Sequence, residues 1–229
     1  MGVERLLWRC PSCGNADRLD ARGDELHCLA CGATWTLDSR AVLDEALSAG
    51  RGVLGVTAHW GAIELIPATL ASLGYPVSVV LEVRTGWLRA ALEKATRNSD
   101  VELIIASRGD RVLEKILAAL ARGRILMTQV DEVDSWRRRN SRTIELFGKR
   151  LFFDHSLDFI AKKAVCPAVG LFCGREGRLR YRLRCEGLAS DPHAIDVSRA
   201  ALALWERYTL QSPEQWYQWP KWKEMKADA

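Results

Sequence analysis

Gly52-Val53-Leu54-Gly55-Val56-Thr57-Ala58, running straight into His59-Trp60-Gly61-Ala62-Ile63-Glu64-Leu65, is the stretch on which the fold turns. Its first half is a short run of apolar and small residues with no polar alternation, which predicts a strand buried on both faces. Apolar residues then recur at helical spacing over 63–73 and stop at Gly74. A doubly buried strand that delivers directly into a helix is the opening of a β/α unit.

Working outward, the same alternation continues. Residues 77–83 predict a strand, 87–97 a helix, 101–105 a strand, 111–121 a helix stopped by Gly123, and 124–130 a strand. Beyond these, 143–147 and 151–153 predict short strands about a Gly148-Lys149 turn, 156–163 a helix and 168–173 a strand. Residues 177–186 alternate Leu, Tyr and Leu with Arg, which predicts an antiparallel strand exposing a basic face, and 198–211 predict a helix. On the N-terminal side 40–49 predict a short amphipathic helix. The fold class is therefore α/β, a mixed sheet flanked by helices over residues 39–229, with a separate module in 1–38.

That module is carried by Cys10-Pro11-Ser12-Cys13 and Cys28-Leu29-Ala30-Cys31. Two CxxC knuckles at this separation bring four thiolates to the corners of a tetrahedron, the ligand set that suits a structural Zn²⁺. Glycine follows each pair (Gly14, Gly32) and permits the tight turn that points backbone amides at sulfur. A hairpin signal lies between the pairs and a short strand follows at 33–37, which completes the pattern of a zinc ribbon. Redox motifs or disulfides are the competing account, and with no secretory signal zinc is preferred. Cys166, Cys173 and Cys185 stand apart and read as core thiols.

With 48% hydrophobic and 27% charged residues among 229, the composition is that of a globular chain. The longest notable uncharged run, 65–81, contains Pro67, Gly74 and Pro76, so it reads as helix, turn and strand and not as a membrane span. The expected location is cytoplasmic, with peripheral contact at the inner face of an anionic membrane. The net charge is only +4, but residues 135–185 hold thirteen Lys or Arg against four Asp or Glu, so the remainder is net acidic. One region is thus suited to an anionic partner. Nucleic-acid binding is disfavoured, because residues 1–40 have no basic cluster and no stacking stripe.

The candidate site is the pair His59 and Glu64. A histidine just past the carboxyl end of a buried strand stands where α/β sheets place ligands. Four intervening residues allow the Glu64 carboxylate to reach one ring nitrogen, leaving the other to take a proton from an attacking hydroxyl. Glu64 as a helix-dipole acid and His59 as an ordinary loop histidine are the alternatives.

The stretch 52–65 resembles the glycine-apolar-T-A-H-x-G-x-x-E-L block of the bacterial lipid A biosynthesis (late) acyltransferases, which belong to the glycerolipid and lysophospholipid acyltransferase superfamily with the HxxxxE or HxxxxD motif. Further blocks follow in order. Val83-Arg84 falls at a substrate-pocket arginine, and 117–131 is similar to a helix-Arg-Gly-strand-Asp block ending at Asp131. Leu146-Phe147-Gly148-Lys149 is similar to an F-F-G turn, 164–172 to a proline-containing strand, and Ser212-Pro213-Glu214-Gln215-Trp216-Tyr217-Gln218-Trp219 to an H-P-E-Q-W-x-W terminus. The resemblance spans about residues 50–223. It implies a glycerolipid acyltransferase-like fold and transfer of an acyl group from a thioester, on acyl carrier protein first and coenzyme A second, to a hydroxyl or amine of a lipid or glycolipid. His59 would be the general base and Glu64 its orienting partner, with Arg84 and Asp131 lining the pocket for a polar head. In this sequence a zinc ribbon takes the place of the family's membrane-anchoring helix.

Arg137, Arg138 and Arg139, with Arg142, Lys149 and Arg150, form the densest basic stretch, suited to phosphate, lipid headgroups or an acidic carrier protein. Trp216, Tyr217, Trp219 and Trp222 interleave with Lys221 and Lys223, a mixture that suits a membrane interface or packing of the tail on the domain. A non-catalytic lipid- or carrier-binding module, a nucleic-acid-binding ribbon protein and a thioesterase using the same pair are the competing functions.

Overall fold

The computed structural model describes residues 10, 13, 15, 18–83, 85–96, 100–106, 111–132, 142–189 and 196–225. In chain order the strands are β1 (Leu19–Arg22), β2 (Glu25–Cys28), β3 (Thr34–Asp38), β4 (Val53–Thr57), β5 (Val77–Glu82), β6 (Val101–Ala106), β7 (Ile125–Gln129), β8 (Arg142–Leu146), β9 (Lys149–Phe153), β10 (Ala168–Arg175) and β11 (Arg180–Ala189). The helices are α1 (Arg40–Ser48), α2 (Ile66–Ser72), α3 (Gly86–Thr96), α4 (Val112–Ala121), α5 (Ser156–Ala164), α6 (Val197–Gln211) and α7 (Trp222–Met225). The helix expected at 63–73 opens with one tighter 3₁₀ turn, Ile63–Leu65, with Pro67 just inside α2, where its missing N–H costs nothing.

Nine strands form one mixed sheet in the order β1-β2-β3-β11-β10-β4-β7-β5-β6, and β8 and β9 form a separate hairpin. The block β10-β4-β7-β5-β6 is parallel throughout, while β11 runs antiparallel to β10 and parallel to β3. The three strands of the cysteine module therefore extend the main sheet, and a boundary drawn at residue 38 falls at the end of β3 within continuous pairing.

The central strand β4 is buried at every position, as a sheet covered on both faces requires, and successive residues face opposite sides. Leu54, Val56 and Leu126 join one apolar cluster with Leu120 of α4, Ile160 of α5 and Trp205 of α6. Val53, Ile125 and Met127 face the other way, into a cluster with Leu43 of α1, Ile66 of α2, Leu92 of α3 and Trp35 of β3. Cys166, Cys173 and Cys185 are buried, as core thiols are. Among the described residues no helix is long and apolar enough to cross a membrane.

Candidate functional site

Two neighbouring parallel strands build the site. β4 and β7 pair with Thr57 opposite Gln129, and Val130 N–H continues the ladder by donating to Thr57 O at 2.8 Å. Carrying the same register two residues on brings His59 opposite Asp131. Asp131 is fully buried, and its carboxylate accepts from the His59 backbone N–H at 3.0 Å and from His59 Nδ1 at 2.9 Å. The indole Nε1 of Trp216, itself buried, donates to Oδ2 of the same carboxylate at 2.7 Å. Three donor groups therefore converge on one buried carboxylate, which offsets its loss of solvent. Because the carboxylate accepts, Nδ1 carries the ring hydrogen and Nε2 is left as the basic nitrogen. Nε2 lies 3.5 Å from Glu132, whose carboxylate is also 3.7 Å from Lys221.

Burial opposes protonation of His59, but the Asp131 carboxylate, with Glu132 farther out, more than offsets it. The ring's pKa is accordingly raised above its ordinary value. Glu64 sits in the first turn after the loop, and burial raises its pKa too, against weaker opposition from its own backbone N–H and from Arg175.

The expected His59–Glu64 contact is corrected by this geometry. Among the contacts of the described residues, the carboxylate on Nδ1 is that of Asp131, and Glu64 makes no hydrogen bond to the imidazole. The turn between them explains why. Gly61 has φ +64°, its N–H donates to Gln215 O at 2.8 Å, and Ala62 N–H donates to Cys173 O at 2.8 Å. The loop is thereby pinned to β10 and the C-terminal tail before Glu64 is reached. A Cβ at Gly61 would run into the Cys173 carbonyl oxygen, so the turn depends on glycine for space as well as for φ.

The tail completes the enclosure. Trp216 bridges Trp60, Tyr217 N–H donates to His59 O at 3.1 Å, and Trp60 Nε1 donates to Ser212 O at 3.2 Å. The Tyr217 ring stands edge-on to His59 with centroids 5.5 Å apart. Of the tail aromatics, Trp216 is core, whereas Tyr217 and Trp219 are about half exposed. Against this corner lies a pocket of about 210 Å³ where His59 and Glu64 meet Ile63, Pro67, Val79, Leu92, Met127 and Gln129. Its walls are mainly aliphatic, and its polar lining groups are His59, Glu64, Gln129 and Tyr217.

Sequence reasoning named Asp131 only as a pocket residue and left Trp216 without a chemical part. The signal for Asp131 was present: Thr57-Ala58-His59 and Gln129-Val130-Asp131 each place a polar residue two positions past a buried strand. Arg84, Arg137, Arg138 and Arg139 lie outside the described residues, as do Asp134 and His193. Arg142, Lys149 and Arg150 are exposed on the β8–β9 hairpin.

At the β1–β3 edge of the sheet the four knuckle cysteines converge. Their sulfurs lie within 4.8 Å of one another, with Cys10 to Cys31 at 3.2 Å and Cys13 to Cys28 at 3.7 Å. The S···S edge of a tetrahedron with Zn–S bonds of about 2.3 Å is about 3.8 Å, so the cluster can hold a metal ion of that coordination. Burial raises the Cys28 thiol's pKa, but hydrogen bonds from the Ala30 and Cys31 backbones outweigh it, and the pKa falls to about 7. Gly32, with φ +75°, supplies the expected turn.

No protein-family model matches the chain, and none of the curated proteins matches it.

Proposed function

We propose that the protein is an acyltransferase of the lipid A late acyltransferase type, moving a fatty acyl group from a thioester to a hydroxyl or amine of a lipid-class acceptor. The observation that supports this best is that His59, held by Asp131, lines a mainly aliphatic pocket. A fixed tautomer presents a basic nitrogen beside space suited to a hydrocarbon chain. In this reading Asp131, rather than Glu64, orients the base.

The step follows the general-base pattern. Nε2 of His59 takes the acceptor's proton as the oxygen or nitrogen attacks the thioester carbonyl. The tetrahedral intermediate collapses with cleavage of the C–S bond, and the imidazolium returns its proton to the departing thiolate. The loop amides are already engaged: His59 N–H donates to Asp131, Trp60 N–H to Ala58 O, Gly61 N–H to Gln215 O and Ala62 N–H to Cys173 O. The oxyanion's donor therefore comes from a side chain in this account. Gln129, on the same strand face as Met127, supplies a neutral N–H donor to the pocket. Zn²⁺ at the four cysteines is structural, and acyl carrier protein is the preferred donor ahead of coenzyme A.

The test is intact-mass analysis of acyl-carrier thioester incubated with a bacterial lipid extract and the full-length chain. Wild type should consume thioester only when lipid is present. His59→Ala should abolish turnover, and Asp131→Asn, which presents the wrong partner to Nδ1, should lower it by about 10³–10⁴-fold. Consumption without lipid would make the protein a thioesterase. No consumption with either donor class would leave a binding module as the better account.

A further inference from the structure

β11 exposes Arg182, Arg184 and Glu186 on the face toward α6, the basic face that the sequence alternation announces. α6 covers only part of it, leaving a cleft of about 510 Å³ between β10–β11 and the C-terminal end of the helix. This cleft and the His59 pocket lie on opposite faces of the sheet. Trp60 and Tyr208 in its wall belong to the apolar cluster under α4–α6, whereas Val79, Leu92 and Met127 of the pocket belong to the other.

Its cations are held in place before any ligand arrives. Arg184 donates through Nη2 to Glu176 at 2.9 Å, and the same Glu176 oxygen accepts from Arg182 at 2.7 Å. Arg207 and the Tyr208 hydroxyl both donate to Glu186, and the Arg207 guanidinium lies 5.5 Å over the Tyr208 ring. Gly174 makes room at the floor. A Cβ there would stand 3.1 and 3.3 Å from Trp60 ring atoms and 3.4 Å from Arg184 Nη1, so any side chain would press on both. Arg184 and Arg207 each spend one terminal nitrogen on a glutamate, and a guanidinium carries five N–H donors. Among the contacts of the described residues their remaining edges and the Gln211 amide are unspent. The arginines lining the cleft outnumber the glutamates by three to two.

We propose that this cleft is a second binding site, taking a small molecule or headgroup whose recognised part is a phosphate-type oxyanion gripped by Arg184 and Arg207. Two guanidinium forks pre-ordered by carboxylates and an aromatic ring match the geometry of such an oxyanion, and the volume is that of a small-molecule site. The inference does not rest on acyl transfer. The cleft shares Trp60 with the His59 loop and Gln215 with the tail, so an occupant touches the residue that follows His59 and the one that precedes Trp216 without entering the pocket.

The experiment is calorimetric titration of the full-length protein with glycerol phosphate, and separately with phosphatidylcholine vesicles with and without phosphatidic acid. Wild type should bind the phosphate monoester saturably. Arg184→Gln and Arg207→Gln should each weaken it about tenfold, the loss expected for one charge-assisted contact. His59→Ala and Arg89→Gln, the latter an exposed arginine on α3, should bind as wild type does. Tighter binding to phosphatidic acid vesicles that still depends on Arg184 identifies a lipid headgroup, and equal affinity for both probes identifies a soluble phosphate. Arg184→Lys keeps the charge without the fork and should fall in between, which covers the case of a misfolded glutamine variant. No saturable binding of either probe, or binding indifferent to both arginines, overturns the proposal.

Discussion

At the scale of single residues, the arrangement around Asp131 makes Trp216 more than a packing group. Its indole N–H is one of three donor groups on a carboxylate with no solvent. Trp216→Phe keeps a ring among Trp205, Trp219 and Trp222 but removes that donor. A carboxylate with one donor fewer pulls harder on Nδ1. The His59 pKa should therefore rise further above 6.5, and the rate–pH curve should shift to higher pH with a fall in kcat of about tenfold, while KM changes little. NMR titration of the His59 ring checks this directly, and a loss of packing alone would not move the midpoint. The two carboxylates near His59 separate in the same experiment. Asp131→Asn should lower the His59 pKa, because it removes the partner that raises it, and Glu64→Gln should leave it nearly unchanged. Stability follows the opposite division. Burial raises the pKa of Glu64, so its contribution to stability is present at low pH and is lost as pH rises through the folded-state value. Glu64→Gln should accordingly melt higher than wild type at alkaline pH and converge with it in acid. The sequence made His59 legible and paired it with the nearer acid along the chain, but the turn after it cannot be followed from spacing. Asp131, seventy-two residues away, arrives only through strand register.

At the scale of elements, most of the fold was open to reading because period and punctuation agree. Val53–Thr57 and Ile125–Gln129 are short apolar runs flanked by Gly52 and Gly123, and α4 ends beside the second of these glycines. What stayed hidden is how the tail is used. The segment from Ser212 to Lys223 has the aromatics and lysines of an interfacial segment, yet its backbone closes over the His59 loop through Gln215 O and Tyr217 N–H. Hydrophobic content cannot distinguish a strap from a membrane anchor, since both bury rings at one end and wet the other. The loop and strap meet at Gly61, so that position should be sensitive. Gly61→Ala must hold a side chain at φ +64° against the Cys173 carbonyl oxygen. It should cost about 2–3 kcal/mol, seen as a melting midpoint lower by about 5–10 °C. Activity at a temperature where the variant is folded should fall as well, because the displaced turn carries His59. Gly74→Ala, at φ +90° but with open space around its Cβ position, serves as the comparison and should cost less.

At the scale of the whole molecule, the cysteine cluster was the most legible feature, and its integration the least. Ligand spacing is local, whereas the pairing of β3 with β11 depends on a partner about 150 residues downstream. Trp35 stacks on Tyr181 with centroids 5.4 Å apart and lies in the same apolar cluster as Cys10, Cys28, Leu43 and Ile66. A metal at the cysteines therefore braces the edge of the main sheet, and binding free energy at such a site is folding free energy. Removing the metal with a chelator, or replacing Cys28 by Ser, should lower the melting midpoint of the entire chain by on the order of 10 °C or more. Far-ultraviolet circular dichroism and tryptophan fluorescence should lose their signals together in one transition, since the sheet has no seam at which the module could open alone. An early, separate loss confined to the Trp35 environment, with the remaining sheet melting at its original temperature, would instead mark the module as an independent folding unit whose strand merely rests against β11.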